Sequence, residues 1–472
     1  MAFHLFSGTG EETHYTETLS AFIRNLKYED IPPEVIERAK GIAMQTIGAS
    51  LAVNGLPVAE KAIALGRRCG GTGGEATLWI DGGKTSVPGA VFCNSTLSDA
   101  LDWEDCAWTG HPSAGIIPVA FACAEAGHKS GKEFLTAVVA GYEVYTRIAM
   151  AVQPPENWPN YKGWGLTAWQ IFAAVAPAAK LTGLTEEQIN QAIGFGVTGC
   201  PIPQSFHQSA MSDAYHYEHG FRSMEGVMCA FNAEAGVDNY MNALDDPWAF
   251  ENHVSVSPDS SWYTRDLGKR WLIMETLLKH WPANMWIQTP MELTDSIMRG
   301  HHLSKDDIAQ VTIDPPTYLR MAYYPEGYTS LTQAQFSMPF MLASYICNPT
   351  PGSGWLQKER LTDPEILEMA AKIKSGPGEP LLMPKCFKDF QKGRHPVITV
   401  TIRTNAGQEY SETMEKHLGH PGNMMTPEQF RERFRVQASA CLSGERLERL
   451  TAMLAHVEDC RDVAEIAPLL CR

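Results

Sequence analysis

Acidic residues and a histidine lie close together in the first quarter of the chain. Asp102, Glu104 and Asp105 are followed by His111 and Ser113. A carboxylate beside an imidazole raises the imidazole pKa, orients the ring and readies it for proton transfer. The spacing therefore predicts a general acid–base site in which Asp102 orients His111. The structural alternative is a surface loop in which Ser113 caps the next helix, because acid–histidine neighbours are common.

A second polar cluster fills residues 214–219. It contains Tyr215, His216, Tyr217, Glu218 and His219, and His207 lies upstream. A tyrosine can donate a proton or a hydrogen bond, and His216 can act as a base. His216 and His219 also share one helical face, so a metal site is an alternative, although zinc sites need further ligands at tight spacing. A domain or dimer interface lined by these aromatic side chains is a second alternative.

The order of short motifs along the chain points to one enzyme family. The acidic motif at 101–105 is followed by His-Pro-Ser at 111–113, Ala-Glu-Ala-Gly at 124–127 and Gly-Tyr-Glu-Val at 141–144. Further matches follow at 178–184, 279–283, 334–337 and 419–423. Each match is short, but their order and spacing over nearly the whole chain are specific. In these features the sequence resembles the MmgE/PrpD family.

The resemblance implies a fold and a class of reaction. The fold class is mainly α with an α+β part, in which a large helical domain formed by both chain ends carries an inserted, smaller α+β lid domain. The family's dehydratases, decarboxylases and epimerases act next to a carboxylate without metal or organic cofactor. We therefore expect a homodimeric lyase, of the dehydratase or decarboxylase type, for a small di- or tricarboxylate. An epimerase, or a paralogue that binds a carboxylate without catalysis, stays open.

The resemblance carries three expected catalytic residues over to this chain. Asp102 and His111 match the family's acid–histidine motif, and Lys279 matches a lysine before a Pro-Ala pair. We expect His111 to act as the base or acid. We expect Lys279 to bind a substrate carboxylate and stabilise the charge of the developing enediolate.

Several family positions are occupied by other residue types. The histidine expected after Gly163-Trp164 is Gly165, and an expected lysine is Tyr215. We therefore expect Tyr215 or His216 to serve as the partner acid. Cys106 stands where the family has a threonine, and Asn284 stands where decarboxylase-like members have a histidine. We expect further substrate contacts at Cys106, Ser113, Trp164, Asn284 and Gln288. The amides of Asn284 and Gln288 would donate hydrogen bonds to the substrate.

The hydrophobic pattern predicts the elements that position these residues. Helical spacing runs through 29–53, and capping boxes at Ser130 with Glu133 and at Thr185 with Gln188 predict two further helix starts. β-Branched residues predict strands at 311–313 and 397–402, with a returning strand at 408–413. Helical patterns cover 331–347, 363–374, 426–440 and 444–456. We therefore place the helical domain at 1–270, the lid domain at 271–415 and the returning helices at 416–472.

Composition excludes several classes of protein. The net charge of -16, with scattered Lys and Arg, argues against a nucleic-acid partner. The eleven cysteines form no Cys-x-x-Cys motif, which argues against a disulfide framework or a clustered metal site. No apolar run reaches the roughly 20 residues that cross a bilayer, and the first residues lack a signal-peptide pattern. We expect a cytoplasmic protein without membrane contact.

Overall fold

The structure is a computed structural model that describes residues 13–107, 110–152, 169–200, 211–246, 248–255, 257–317, 319–382, 385–386, 389–390 and 394–472. Trp164, Gly165 and His207 therefore lie outside the described residues. The helices of the first part are α1 Tyr15–Asn25, α2 Pro33–Ala52, α3 Pro57–Gly70, α4 Val87–Asp99, α5 Pro112–Ala126, α6 Gly131–Ala151, α7 Ile171–Thr182, α8 Glu186–Gly199, α9 Ala214–Glu234 and α10 Glu251–Val254.

The second part mixes helices and strands. Its helices are α11 Gln288–Gly300, α12 Leu331–Gln335, α13 Met338–Cys347, α14 Pro364–Ala370, α15 Pro427–Ala438 and α16 Gly444–Ala455. The strands of the whole chain are β1 Ala76–Thr77, β2 Lys84–Thr85, β3 Asp105–Cys106, β4 Leu277–Leu278, β5 Ile308–Asp314, β6 Ile373–Ser375, β7 Ile398–Thr404 and β8 Glu409–Met414. The fold class predicted from the sequence is confirmed: mainly α, with an α+β part.

Two helices begin at the capping boxes read from the sequence. Ser130 starts α6 and Thr185 starts α8, and each accepts a hydrogen bond from the backbone N–H three residues on, at Glu133 and Gln188. The side chains of Glu133 and Gln188 accept from the cap residues in return. These bonds satisfy N–H groups that a first helical turn leaves unpaired.

The C-terminal helix α15 packs directly on α2. A Cβ added at Gly41 would lie 2.3 Å from the ring of Phe430, and one at Gly48 would lie 2.5 Å from the side chain of Gln437. Such a close approach leaves no room for a larger residue at either glycine. Residues from both ends of the chain therefore build one helical core.

The second part contains a four-stranded sheet of order β6-β5-β7-β8. Strands β5, β7 and β8 are antiparallel neighbours, and β6 runs parallel to β5. Two sequence predictions in this part need correction. The helix at 331–347 is broken where Ser337 caps a new start at α13. The helix at 363–374 ends at Ala370, because Ile373 pairs with Val311 at the sheet edge.

Among the described residues, no single helix is both long enough and apolar enough to cross a membrane. Helices α2 and α3 meet that length and composition only when taken together, across a bend of 102°.

Candidate active site

Helices α4 and α9 cross at close range and build one side of the site. A Cβ added at Gly220 of α9 would lie 2.4 Å from Thr96 Oγ1 and 2.5 Å from a backbone oxygen of α4. This close approach brings the first turns of α9, with His216 and His219, to Asp99 at the end of α4. The side chains of these two histidines and of Asp99 are fully buried.

The acidic motif and a lysine build the other side. Asp102 has a φ of 51°, in the left-handed region that aspartate tolerates better than most residues. Strand β3 then pairs with β4, so that the Lys279 N–H donates to the Glu104 carbonyl at 3.0 Å. From α2, the Gln45 amide nitrogen contacts the carbonyl oxygens of Trp103, Glu104 and Lys279 at 3.0, 2.7 and 2.7 Å. Gln45 therefore locks the two strands together.

His111 lies at the centre of the cluster. Its Nδ1 is 2.5 Å from Glu104 Oε1 and 2.8 Å from Asp99 Oδ1, whereas Asp102 Oδ1 is 3.7 Å away. Its Nε2 is 3.1 Å from the Tyr215 hydroxyl oxygen. The prediction that Asp102 orients His111 therefore needs correction, because Glu104 and Asp99 hold Nδ1. The nitrogen left to exchange a proton with a ligand is Nε2.

Lys279 is the cation that the acidic motif encloses. Its Nζ donates to Asp102 Oδ1 and, at 2.6 Å, to Glu104 Oε1, and it lies 3.2 Å from His111 Nδ1. Burial lowers the pKa of Lys279, but Asp102 and Glu104 outweigh burial and raise it above the ordinary value. Lys279 is therefore a charged ammonium whose two carboxylate partners already lie in the site. Lys279 therefore stabilises the acidic motif, and a carboxylate of a bound ligand would share the ammonium group with Asp102 and Glu104.

Electrostatics makes His111 a proton donor. Burial and Lys279 lower the pKa of His111, but Glu104 and Asp99 outweigh them and raise it to about 10. At neutral pH the ring is an imidazolium. Burial raises the pKa of Asp99, yet the surrounding imidazoles, His219 first among them, hold it well below the usual range. Asp99 therefore stays a carboxylate and keeps the proton on His111.

The pKa values of the two histidines of α9 are shifted in opposite directions. His216 Nδ1 lies 2.6 Å from Asp99 Oδ2 and its Nε2 lies 3.2 Å from Thr332 Oγ1. Burial lowers the pKa of His216, but the hydrogen bond to Asp99 raises it above the ordinary value. His219 Nε2 lies 3.2 Å from Asp99 Oδ1, and neither ring nitrogen has a hydrogen-bond partner in the described structure. Burial lowers the pKa of His219 to about 4, so its ring is neutral and can accept a proton.

Tyr215 joins the cluster through its hydroxyl group. Burial raises its pKa well above the ordinary value, with Asp99 adding to the effect, so the phenol stays protonated. Its ring packs edge-on against Phe336 at 5.5 Å between centroids. A neutral hydroxyl 3.1 Å from His111 Nε2 holds the imidazolium and marks where a ligand oxygen would sit.

Ser113 stabilises the acidic motif and does not cap a helix. His111 occupies the N-cap position of α5, and Ser113 lies inside the first turn. The Ser113 hydroxyl and backbone N–H donate to Asp105 Oδ1 at 2.8 and 3.1 Å, and the Tyr142 hydroxyl donates to Asp105 Oδ2. The cap interpretation was wrong, because His111 and not Ser113 occupies the N-cap position. The bonds to Asp105 hold that side chain against α5 and so fix the loop that carries His111.

The remaining predicted substrate contacts divide into two groups. Cys106 and Asn284 lie at the edge of the cluster: Cys106 Sγ is 3.3 Å from Met285 Sδ, and Asn284 Oδ1 accepts from Arg320 Nε at 2.9 Å. Gln288 is different, because its amide bonds with the backbone of residues 281 and 283 at 2.6–3.0 Å. Those bonds use both amide protons, so Gln288 shapes the Pro-Ala loop rather than offering a donor. Trp164 lies outside the described residues.

Sequence reasoning missed part of the site. Asp99 ends a helix three residues before the acidic motif, and no pattern separates it from an ordinary helix end. Arg320 is a second buried cation of the site; burial lowers its pKa to about 10, which leaves it charged at neutral pH. His219 was noticed only as a neighbour of His216. The spacing of three residues was the available signal for both histidines of α9.

Within the part of the chain that the structure describes, two groups of three residues place ligand atoms within 4.8 Å of one another, as a metal site requires. They are Asp99, His111 and His219, and Asp102, Glu104 and His111. In the second group the Lys279 ammonium already supplies the positive charge. In the first, a protonated His111 offers no lone pair at Nδ1. We therefore describe both groups as an acid–base cluster.

Family models match both halves of the chain. The model of the MmgE/PrpD N-terminal domain matches residues 17–262, and that of the MmgE/PrpD C-terminal domain matches residues 281–459. The chain belongs to the MmgE/PrpD family. Asp99, the acidic motif, His111 and α9 fall in the first match, Asn284, Arg320 and Thr332 fall in the second, and Lys279 lies between the two.

Curated relatives of this MmgE/PrpD protein match it along nearly its full length. Human cis-aconitate decarboxylase is 22% identical over 96% of this chain and 94% of its own. A cis-aconitate decarboxylase of Aspergillus terreus is 22% identical over 96% and 95%, and the mouse protein is 21% identical over 96% and 93%. At this identity the comparisons support, at the level of the family, an enzyme of the lyase class.

Proposed function

We propose that this protein is a cofactor-independent lyase that eliminates water from a small hydroxy di- or tricarboxylate. The observation that carries the proposal is a pair of buried imidazoles beside one carboxylate oxygen: His111 Nδ1 lies 2.8 Å and His219 Nε2 lies 3.2 Å from Asp99 Oδ1. His111 is protonated and His219 is neutral, and both lie against Asp99. An elimination needs a base for the proton α to the carboxylate and an acid for the leaving group, and this pair supplies both.

The proposed reaction uses the two rings in turn. His219 takes the proton from the carbon next to the substrate carboxylate, and the electron pair is held as an enediolate. Lys279 and Arg320 are the buried cations that stabilise this charge. The electron pair then forms the carbon–carbon double bond while the bond from the β carbon to its hydroxyl oxygen breaks. His111 gives its proton to that oxygen, which leaves as water.

The spacing of the rings favours elimination over epimerisation. An epimerase that inverts a carbon needs proton-transfer groups on opposite faces, each about 3 Å from that carbon. The centroids of His111 and His219 are only 5.3 Å apart, which leaves no room for a substrate carbon between the rings. Both groups therefore act from one side, as a syn elimination requires.

Decarboxylation is the second candidate, and the relatives' activity favours it. In that reaction the carbon–carbon bond to a carboxylate breaks, carbon dioxide leaves, and the remaining carbanion takes a proton from His111. No base is needed, so His219 would have no chemical role. The behaviour of a His219 variant therefore separates the two candidates.

The test is proton NMR in D2O with a panel of small carboxylates that includes malate, citrate and cis-aconitate. For wild type we expect loss of water and deuterium at the α carbon. We expect His219→Asn to lose both, and His111→Asn to keep the deuterium exchange while losing water release. His302→Asn is the matched control, because His302 is exposed and its φ of 53° is one that asparagine tolerates. Unchanged water release in His219→Asn would refute this mechanism.

A further inference from the structure

A cavity of ≈ 210 Å³ lies beside the acid–base cluster. Its walls are mainly apolar and come from β4, the loop before α11, the start of β7 and the loop after β8. The apolar lining residues include Leu277, Met285, Trp286, Leu381, Phe390 and Ile398. A cavity with such walls favours a ligand group without charge.

Cys106 connects this cavity to the catalytic cluster. Its side chain lines the cavity, while its backbone continues the strand that begins at Asp105. The Cys106 Sγ lies 3.3 Å from Met285 Sδ, and among charged groups Lys279 has the largest effect on the pKa of the Cys106 thiol. Cys106 and Met285 therefore line the cavity where β3 leaves the acid–base cluster. We take an arm of a molecule held by the cluster to enter the cavity past these two side chains.

The polar groups of the cavity do not favour a carboxylate. Burial lowers the pKa of His417 to about 3 and that of His420 to about 4, so both rings are neutral. Glu275 is paired with Arg270 at 2.6 Å, and Glu415 adds a further carboxylate to the wall. A second or third carboxylate of a substrate would meet acidic neighbours here, and the lining residues that the structure describes include no Lys or Arg.

The size of the cavity fixes the size of the group. An apolar cavity of about 150 Å³ in another protein takes up benzene. A volume of ≈ 210 Å³ therefore holds a phenyl ring or a branched chain of similar size. We propose that this cavity binds an apolar arm of the substrate, so that the substrate class is a small dicarboxylate carrying one aryl or alkyl substituent. This inference rests on the proposed function for the position of the carboxylates.

The test compares two ligands that differ only in the arm. Succinate and 2-benzylsuccinate carry the same two carboxylates, and calorimetric titration gives their affinities for the full-length protein. We expect 2-benzylsuccinate to bind about tenfold to a hundredfold more tightly, as burial of one apolar ring contributes. Equal affinities, weaker binding of 2-benzylsuccinate, or no binding of either at millimolar concentration would overturn the inference.

Two neighbouring leucines provide matched variants. Leu381 is half-buried and lines the cavity, whereas Leu382 is 56% exposed and does not line it. We expect Leu381→Trp to abolish the preference for 2-benzylsuccinate, because the indole fills the space of the benzyl ring, and to leave succinate affinity unchanged. Leu382→Trp should retain the preference. A preference that survives Leu381→Trp unchanged would place the benzyl ring elsewhere and overturn the inference.

The same measurements separate this inference from the proposed function. If 2-benzylsuccinate binds with the expected preference while no carboxylate loses water or exchanges a proton in D2O, the cavity inference stands and the lyase proposal fails. If an unsubstituted hydroxy acid is turned over and the benzyl group adds no affinity, the lyase proposal stands and the cavity inference fails.

Discussion

Among the described residues, buried histidines lie both in the acid–base cluster and at the cavity, and the rings of His111 and His417 differ in charge. In the catalytic cluster, His111 lies within 2.8 Å of Asp99 and of Glu104, and its pKa is raised to about 10. At the cavity, His417 Nδ1 lies 3.1 Å from the hydroxyl oxygen of Thr289, its Nε2 has no hydrogen-bond partner in the described structure, and its pKa is lowered to about 3. Both rings are almost completely buried. Burial alone therefore lowers the pKa of a histidine here. A carboxylate outweighs burial where it forms a hydrogen bond with the ring, as at His111, but not at His219, which lies 3.2 Å from Asp99 without such a bond.

The largest effect is expected from removing the carboxylate that the catalytic histidines share. In Asp99→Asn, His111 and His216 lose an ionic partner and no carboxylate is left beside His219. We expect kcat/KM to fall by about a thousandfold or more. The buried imidazolium of His111 would also lose a charge partner, so the free energy of unfolding should fall by about 3 kcal/mol or more. Turnover by NMR and denaturant unfolding measure the two quantities.

The matched control is a carboxylate–histidine pair at the surface. Asp462 Oδ2 lies 2.8 Å from His128 Nδ1, and the His128 side chain is 75% exposed. We expect Asp462→Asn to leave turnover unchanged and to cost less than about 1 kcal/mol. Equal effects of Asp99→Asn and Asp462→Asn would mean that burial adds nothing to the role of Asp99.

The pH dependence of kcat/KM sharpens the same comparison. His219 must be neutral to accept a proton, so activity falls as the pH drops through about 4. His111 must be protonated to donate one, so activity falls as the pH rises through about 10. We expect a plateau from about pH 5 to about pH 9, with a tenfold loss per pH unit beyond each limb. A limb near 6.5, the ordinary value for histidine, would contradict these assignments.

A carboxylate placed beside the cavity histidine should shift its pKa toward that of His111. Thr289 Oγ1 lies 3.1 Å from His417 Nδ1. We expect Thr289→Asp to raise the pKa of His417 by about 1 to 3, because an opposite charge at that distance favours the protonated ring. Thr289→Asn has the same shape without the charge and should raise it far less. Imidazole proton shifts followed by NMR titration measure the change; equal pKa values in the two variants would argue against the carboxylate as the cause.

Local patterns predicted the fold better than the site. The boxes at Ser130 and Thr185 are confirmed because a capping bond joins residues only three apart. The contact between His216 and Asp99 joins residues 117 apart in the chain and depends on how closely α9 approaches α4. No spacing rule encodes such a contact.

The role of a polar side chain was equally hidden in the sequence. The sequence gives the same residue type whether the amide of a glutamine such as Gln288 faces a ligand or the backbone of its own loop. The acidic motif itself was identified, but which of its carboxylates holds His111 depends on the turn at Asp102 and on the pairing of β3 with β4. Motif matching therefore located the site, and tertiary contacts assigned the partners within it.

The smallest expected effect concerns metal removal, for which we expect no change in turnover. If Lys279 supplies the positive charge between Asp102 and Glu104, then incubation with EDTA followed by gel filtration should leave turnover unchanged. Lys279→Met is the companion variant: it keeps the length of the side chain, removes the cation, and should lower turnover strongly because two buried carboxylates are left unpaired. Loss of activity with EDTA, restored by a divalent ion, would contradict this assignment. Asp99, His111 and His219 would then be the first ligands to test, and the difference between the two histidine groups would have to include a bound ion as well as the carboxylates.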